Sequence, residues 1–196
     1  GGGSIYTSEA LQEIADFCRS ISIPLHLDGA RIFNAMVETG QTPAQFGAWF
    51  DTISICLSKG LGAPVGSILV GSKDFIKKAR RVRKRLGGGW RQAGFLAAAG
   101  IYALDHQVDR LKEDHARARV IASVCEKLSW VKAILPVATN IVILELQDGL
   151  SSAEKVAQLR EKEIYCAPFG PTYVRFVTHL GFDDAALQAF EERIAE

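Results

Sequence analysis

Thr52-Ile53-Ser54-Ile55-Cys56-Leu57, the nine-residue connection 58–66, and Ser67-Ile68-Leu69-Val70-Gly71 decide how this chain is to be folded. The first run is almost continuously apolar and rich in β-branched residues, the pattern of a strand covered on both faces. The second is a strand of the same kind. The connection between them is too short for a helical crossover and predicts antiparallel neighbours. Upstream, residues 21–27 read as a short apolar strand interrupted by Pro24 and ending at Asp28-Gly29. Before it, Ser8 stands ready to cap a helix carrying Leu11, Ile14, Ala15 and Cys18 at helical spacing. After it come a helical stretch over 30–37, a turn over 40–43 and a short helix to Phe50. Strands alternating with helices make this part an α/β layer with a mixed sheet.

Farther along, Ile76, Ala79, Val82 and Leu86 form one apolar stripe on a helix over 73–86, which Gly87-Gly88-Gly89 terminates. Residues 92–104 are small and apolar on nearly all sides, as expected of a helix packed inside protein. Residues 108–128 read as a mostly polar connecting helix. Beyond them the order changes to strand 140–146, helix 152–163, strand 164–167, strand 173–178 and helix 183–195, a small α+β unit.

The 196 residues are 23% charged and 48% hydrophobic, with 23 basic and 22 acidic side chains and a net charge of +1. That composition excludes disorder and a wholly basic nucleic-acid binder. No apolar run approaches the ~20 residues of a membrane helix, and a cytoplasmic address is expected. Cys18, Cys56, Cys125 and Cys166 lie far apart, so reduced core thiols are expected and no metal site is suggested.

Asp28 and Lys59 each lie just past the C-terminal end of an expected strand, the edge at which open α/β sheets bind ligands. Each alone has an ordinary reading: Asp28 as a helix cap paired with Arg31, Lys59 as a solvated cation. Together, a lysine amine and a carboxylate are the two groups that a pyridoxal phosphate site commonly requires. Lys77, Lys78, Arg80, Arg81, Arg83, Lys84 and Arg85 put seven cations into nine positions. A solvated or subunit-facing helix explains them best, attraction of phosphate or carboxylate at an active-site mouth comes second, and nucleic acid last, since no aromatic residues interleave and the whole chain is nearly neutral. Gly87-Gly88-Gly89 suits a helix cap and sharp turn, with an anion cradle as the weaker alternative. His26 is expected to be packed in its strand, His106 and His115 to lie on polar surface, and His179 to cap or stand behind a substrate site.

Four segments carry a resemblance. His26-Leu27-Asp28-Gly29-Ala30-Arg31-Ile32-Phe33-Asn34-Ala35, the run Ser54 through Lys59 to Ser67, Gly87-Gly88-Gly89-Trp90-Arg91-Gln92-Ala93-Gly94, and Tyr173-Val174-Arg175-Phe176-Val177-Thr178-His179 together resemble the low-specificity threonine aldolases. The resemblance implies a pyridoxal 5'-phosphate enzyme of the aspartate-aminotransferase fold that cleaves L-threonine or L-allo-threonine to glycine and acetaldehyde. It implies that residues 1–107 are the C-terminal part of the cofactor-binding, transferase-like large domain, with a mixed, mostly parallel sheet and flanking helices. Residues 108–128 are then the connecting helix and 129–196 a small C-terminal α+β domain.

It further implies that Lys59 holds the cofactor as an aldimine, that Asp28 faces the pyridine nitrogen, and that Arg31 lies near cofactor and substrate. Arg175 is implied to grip the substrate α-carboxylate, and Lys84 and Arg91 to reach a neighbouring subunit's site. The expected partners are a small amino-acid substrate and copies of the same chain in a dimer of dimers with shared sites, without nucleic acid or membrane. Members of the family carry roughly 140 further residues, a domain-sized piece, before the segment aligned with Gly1. The only methionine is Met36, and the chain is therefore expected to be the C-terminal portion of a longer enzyme. β-Elimination or transamination on the same cofactor, and a noncatalytic association module, are the alternative functions.

Overall fold

The computed structural model describes residues 2–195. Helix α1 (Ser8–Ser20) is capped by the Thr7 side chain, which accepts from the Ala10 amide. It packs Leu11 and Ala15 against α2 (Ile32–Thr39), α3 (Pro43–Trp49) and the sheet, in a cluster with Ile32, Phe46, Trp49 and Ile53. A capping box at Thr42 and Gln45, with Pro43 in the first turn, starts α3. The Trp49 indole N–H donates to Gln12 of α1 at 2.9 Å, which gives the buried ring its polar partner.

The sheet of this unit has the order β1 (His26–Gly29), β2 (Thr52–Cys56), β3 (Ser67–Gly71). β1 and β2 are parallel, and β2 and β3 antiparallel, as the short connection between them requires. Helix α4 (Lys73–Arg85) follows the sheet, and α5 (Gly94–His106) ends the unit, which spans Tyr6–Asp109.

The second unit comprises residues 2–5 and 110–195. Its antiparallel sheet has the order β4 (Val131–Ile134), β5 (Ile141–Leu146), β7 (Tyr173–Val177), β6 (Ala167–Pro168). Val142, Leu144 and Leu146 alternate on one face with Val174 and Phe176 beside them. That face is covered by α6 (Leu111–Cys125), α7 (Ser152–Glu161) and α8 (Asp184–Ala195). On the opposite face Ile141 and Ile143 are also buried, beneath Gly3 and Gly2. A Cβ on Gly3 would stand 2.9 Å from that of Ile141, so only glycine lets the N-terminal segment lie so close.

Several expectations are corrected. Helix α6 is amphipathic, not a polar connector: Leu111, Asp114, His115, Ala118, Ile121 and Cys125 make a buried stripe against the sheet. His115, expected on polar surface, is thus fully buried. Of the cysteines only Cys125 is fully buried, and all four are free. β2 buries only Ile53 fully, and β3 is exposed or half-buried throughout. Helix α5, expected to be packed all round, buries only Gly100 and Ala103 and leaves Phe95 92% exposed, because among the described residues of its own unit no layer covers its other sides. His26 is exposed, with its Nδ1 2.7 Å from the Thr52 hydroxyl. Among the described residues no helix is long and apolar enough to cross a membrane.

Candidate active site

The parallel pair β1 and β2 sets the site. Asp28 lies opposite Ser54 in register and Gly29 opposite Ile55, so Asp28 stands next to last in its strand. Gly29 is buried where β1 ends, with no room for a side chain. A Cβ there would meet the Ser54 carbonyl oxygen at 2.8 Å and Ile53 Cγ2 at 3.2 Å. The chain turns immediately: the Ala30 amide donates to the Asp28 carboxylate at 3.2 Å, a local turn that fixes the carboxylate at the strand end. Helix α2 begins one turn on, after Arg31, without a side-chain cap. Asp28 therefore holds the turn and does not cap the helix.

Lys59 lies three residues past the end of β2, at the same sheet edge. Its loop closes on itself through Leu57 N–H to Gly66 O (3.0 Å), Ala63 N–H to Leu57 O (3.0 Å) and Gly62 N–H to Lys59 O (2.9 Å). Gly62 and Gly66 supply the left-handed conformations, at φ 71° and 121°. Leu57, Leu61 and Ala63 are buried, and Gly100 of α5 comes within contact of Leu57. The backbone under Lys59 is thus anchored on three apolar side chains while its amine stays in solvent. Neither Lys59 nor Asp28 is engaged in an ion pair among the described residues. A carboxylate and an amine with no ion-pair partner, on hydrogen-bonded turns at one sheet edge, fit the donor set that pyridoxal phosphate uses.

The glycine triplet is a helix cap. Gly87 adopts φ 86°, its N–H donates to Lys84 O, and the Gly88 N–H donates to Arg83 O at 2.8 Å, the paired bonds of a Schellman motif. The Lys84 side chain lies across Gly89, where any Cβ would collide with it. Lys84 thus lies along the turn that leads to Arg91, and both are exposed. None of the eight cations of α4, Lys73 included, has an ion-pair partner among the described residues.

Arg175 belongs to the other unit. It sits in the middle of β7, paired with Ile143 on one side and Ala167 on the other, on the sheet face turned away from the helices. Its guanidinium lies over the Phe169 ring, 5.5 Å from the centroid, and its buried Nε has no hydrogen-bond partner. No carboxylate pairs with it among the described residues. An arginine held by a ring and lacking an acid is suited to an incoming carboxylate. His179 accepts from the Gly181 amide at 3.1 Å and so shapes the turn after β7. Sequence reasoning missed Phe169; its one signal was the proline and glycine around it, which mark a tight hairpin.

The model of the beta-eliminating lyase family matches residues 1–148. The low specificity L-threonine aldolase of Escherichia coli K12 is 43% identical over 180 residues, covering 91% of this chain and 52% of that protein. The low-specificity L-threonine aldolase of Candida albicans is 41% identical over 157 residues, covering 80% of this chain and 42% of that one. The chain thus spans about half the length of the curated relatives it matches. A putative aromatic amino acid beta-eliminating lyase/threonine aldolase from Exiguobacterium sp. 255-15 superposes with a TM-score of 0.79 at 26% identity, over 98% of this chain and 58% of that structure. With its family model covering three quarters of its length, this chain belongs to the beta-eliminating lyase family.

Proposed function

We propose that these residues form part of a pyridoxal phosphate-dependent aldolase that cleaves L-threonine or L-allo-threonine to glycine and acetaldehyde. The observation that carries this is the placement of Asp28 and Lys59 at one edge of the β1/β2 pair, each on a hydrogen-bonded turn and without an ion-pair partner among the described residues. Its close relatives bear the name of that activity. Bound there, pyridoxal phosphate supplies an electron sink for the bond broken at the substrate's α-carbon. Lys59 provides the amine that holds the group, and Asp28 keeps a proton on its ring nitrogen. Arg31 serves cofactor and substrate from the start of α2. Arg175 binds the α-carboxylate, for which a guanidinium fork is the fitting partner.

Lys84 and Arg91 serve the site of a second copy, within a dimer of dimers, and the part of the relatives outside the matched segment contributes the rest of such an enzyme. A cytoplasmic setting suits four free thiols. In the full-length protein, Lys59→Ala should abolish the visible absorbance band that pyridoxal phosphate acquires on binding a lysine. A band that persists in that variant would remove Lys59 from the role.

The family's own description favours β-elimination as a second reading. Release of glycine and aldehyde, measured against keto-acid formation, separates the two. Binding of pyridoxal phosphate by the 196 residues alone separates both from a noncatalytic association module.

A further inference from the structure

We infer that Phe169 is a positioning residue for Arg175, holding the guanidinium over its ring so that the fork is aimed before a carboxylate arrives. The inference rests on the reading of Arg175 as the carboxylate-binding residue and adds to it the means by which that side chain is held.

Four features of the second unit carry it. The Arg175 guanidinium carbon is 5.5 Å from the Phe169 centroid, inside the roughly 6 Å at which a cation is attracted to a ring face. The buried Nε of Arg175 has no hydrogen-bond partner, and no acid pairs with the side chain among the described residues, so the ring is what orients it. The placement follows from register: Ala167 pairs with Arg175, and Phe169, two residues on, returns to the same face of the hairpin. Finally, the ring stands on a fixed loop. The Phe169 N–H donates to Tyr173 O at 2.8 Å, the Ser152 hydroxyl to Gly170 O at 2.6 Å, the Ser152 N–H to Pro171 O at 2.9 Å, and the Leu146 N–H to Thr172 O at 2.9 Å. Gly170, at φ 86°, makes the turn possible. Phe169 is itself 38% exposed, so packing of the core does not account for an aromatic residue there.

A fork held in place loses less conformational freedom on binding, and that gain is equal in ground and transition states. It should therefore appear in KM. In the full-length holoenzyme, Phe169→Leu should raise KM for L-threonine about two- to fivefold with the smaller change in kcat, the range for a partly exposed cation–π contact. Phe169→Tyr, which keeps the ring face, should restore KM. The Nε–H proton resonance of Arg175 should move downfield in Phe169→Leu, as the ring current is removed, and stay near its original place in Phe169→Tyr. If the Leu variant does not fold, Phe169→Met, apolar and without a π face, takes its place in the same comparison.

Wild-type KM in the Leu or Met variant, or a KM raised as much by Tyr as by Leu, overturns the positioning role. Arg175→Ala distinguishes the failures. If it raises KM far more than Phe169→Leu does, the reading of Arg175 stands whatever the ring contributes. If it leaves KM unchanged, that reading falls and takes the inference with it.

Discussion

Gly29→Ala tests the geometry on which the site depends. The new Cβ would lie 2.8 Å from the Ser54 carbonyl oxygen, 3.2 Å from Ile53 Cγ2 and 3.3 Å from Ile32 Cβ. One of these neighbours is a main-chain oxygen and the other two lie at the branched Cβ of isoleucines, so none is the end of a flexible side chain. Relief requires β1 to move away from β2. Overpacking of this kind costs about 1–3 kcal/mol. Alanine recovers about 0.4–1 kcal/mol by restricting the unfolded chain. The net expectation is a loss of about 0.5–2 kcal/mol in urea denaturation, together with weaker pyridoxal phosphate binding, because Asp28 adjoins the displaced residue. Gly47→Ala is the matched control: Gly47 lies inside α3 with nothing within 4 Å of its would-be Cβ. There the same change should stabilise by about 0.5–1 kcal/mol. If Gly29→Ala is as stable as the parent and binds the cofactor equally well, the strand approach does not position the site and the reasoning fails.

Glu163 closes α7 in a left-handed conformation, φ 57°, while its carboxylate meets Arg193 at 2.7 Å on the surface. The backbone strain of about 1–2 kcal/mol exceeds a surface ion pair of about 0–1 kcal/mol, so Glu163→Gly should be neutral or slightly stabilising by thermal melting and Glu163→Ala destabilising. Equal losses in both would show that the ion pair dominates. Burial pushes the Cys125 thiol up to about 12 and the Cys166 thiol up to about 11, from an ordinary 9.0. Above pH 9 the unfolded chain releases these protons while the folded one retains them. Stability is thus full below that value and falls as pH rises toward 11, by about 1.4 kcal/mol per pH unit for Cys125. A fall no smaller in Cys125→Ala would refute this. If Arg91 and Lys84 act in a neighbour's site, mixing Arg91→Ala with Lys59→Ala protein under subunit exchange should recover activity lost by each alone, since one hybrid site is intact. No recovery after proven exchange returns both residues to their own chain.

Much of the architecture was legible in local pattern. The strand Ser67–Gly71 and its antiparallel pairing followed from a run of apolar residues and a connection too short for a crossover. The helix stop at Gly87 followed from glycine chemistry alone. Two strands were not legible. Val131–Ile134 is short, buries only Val131 and is interrupted by a register shift, so it presents neither clean alternation nor an apolar run. The strand expected over 164–167 shrinks to Ala167–Pro168, because the Ile164 N–H is taken by Leu159 O in the cap of α7 and cannot join a ladder.

Residue type and spacing were enough to single out Asp28 and Lys59, because a strand end and a glycine-rich turn leave their marks in adjacent positions, whereas Arg175 was singled out only by the resemblance of its strand to that of the threonine aldolases. Which faces are covered was decided by elements distant in the chain. Leu111, His115 and Cys125 are buried because β5 supplies a surface for their stripe, and Phe95 is bare because none of the described residues of its own unit does so for α5. The stack of Phe169 on Arg175 likewise required the hairpin to close, for their juxtaposition arises from cross-strand register, which no local pattern of residues encodes.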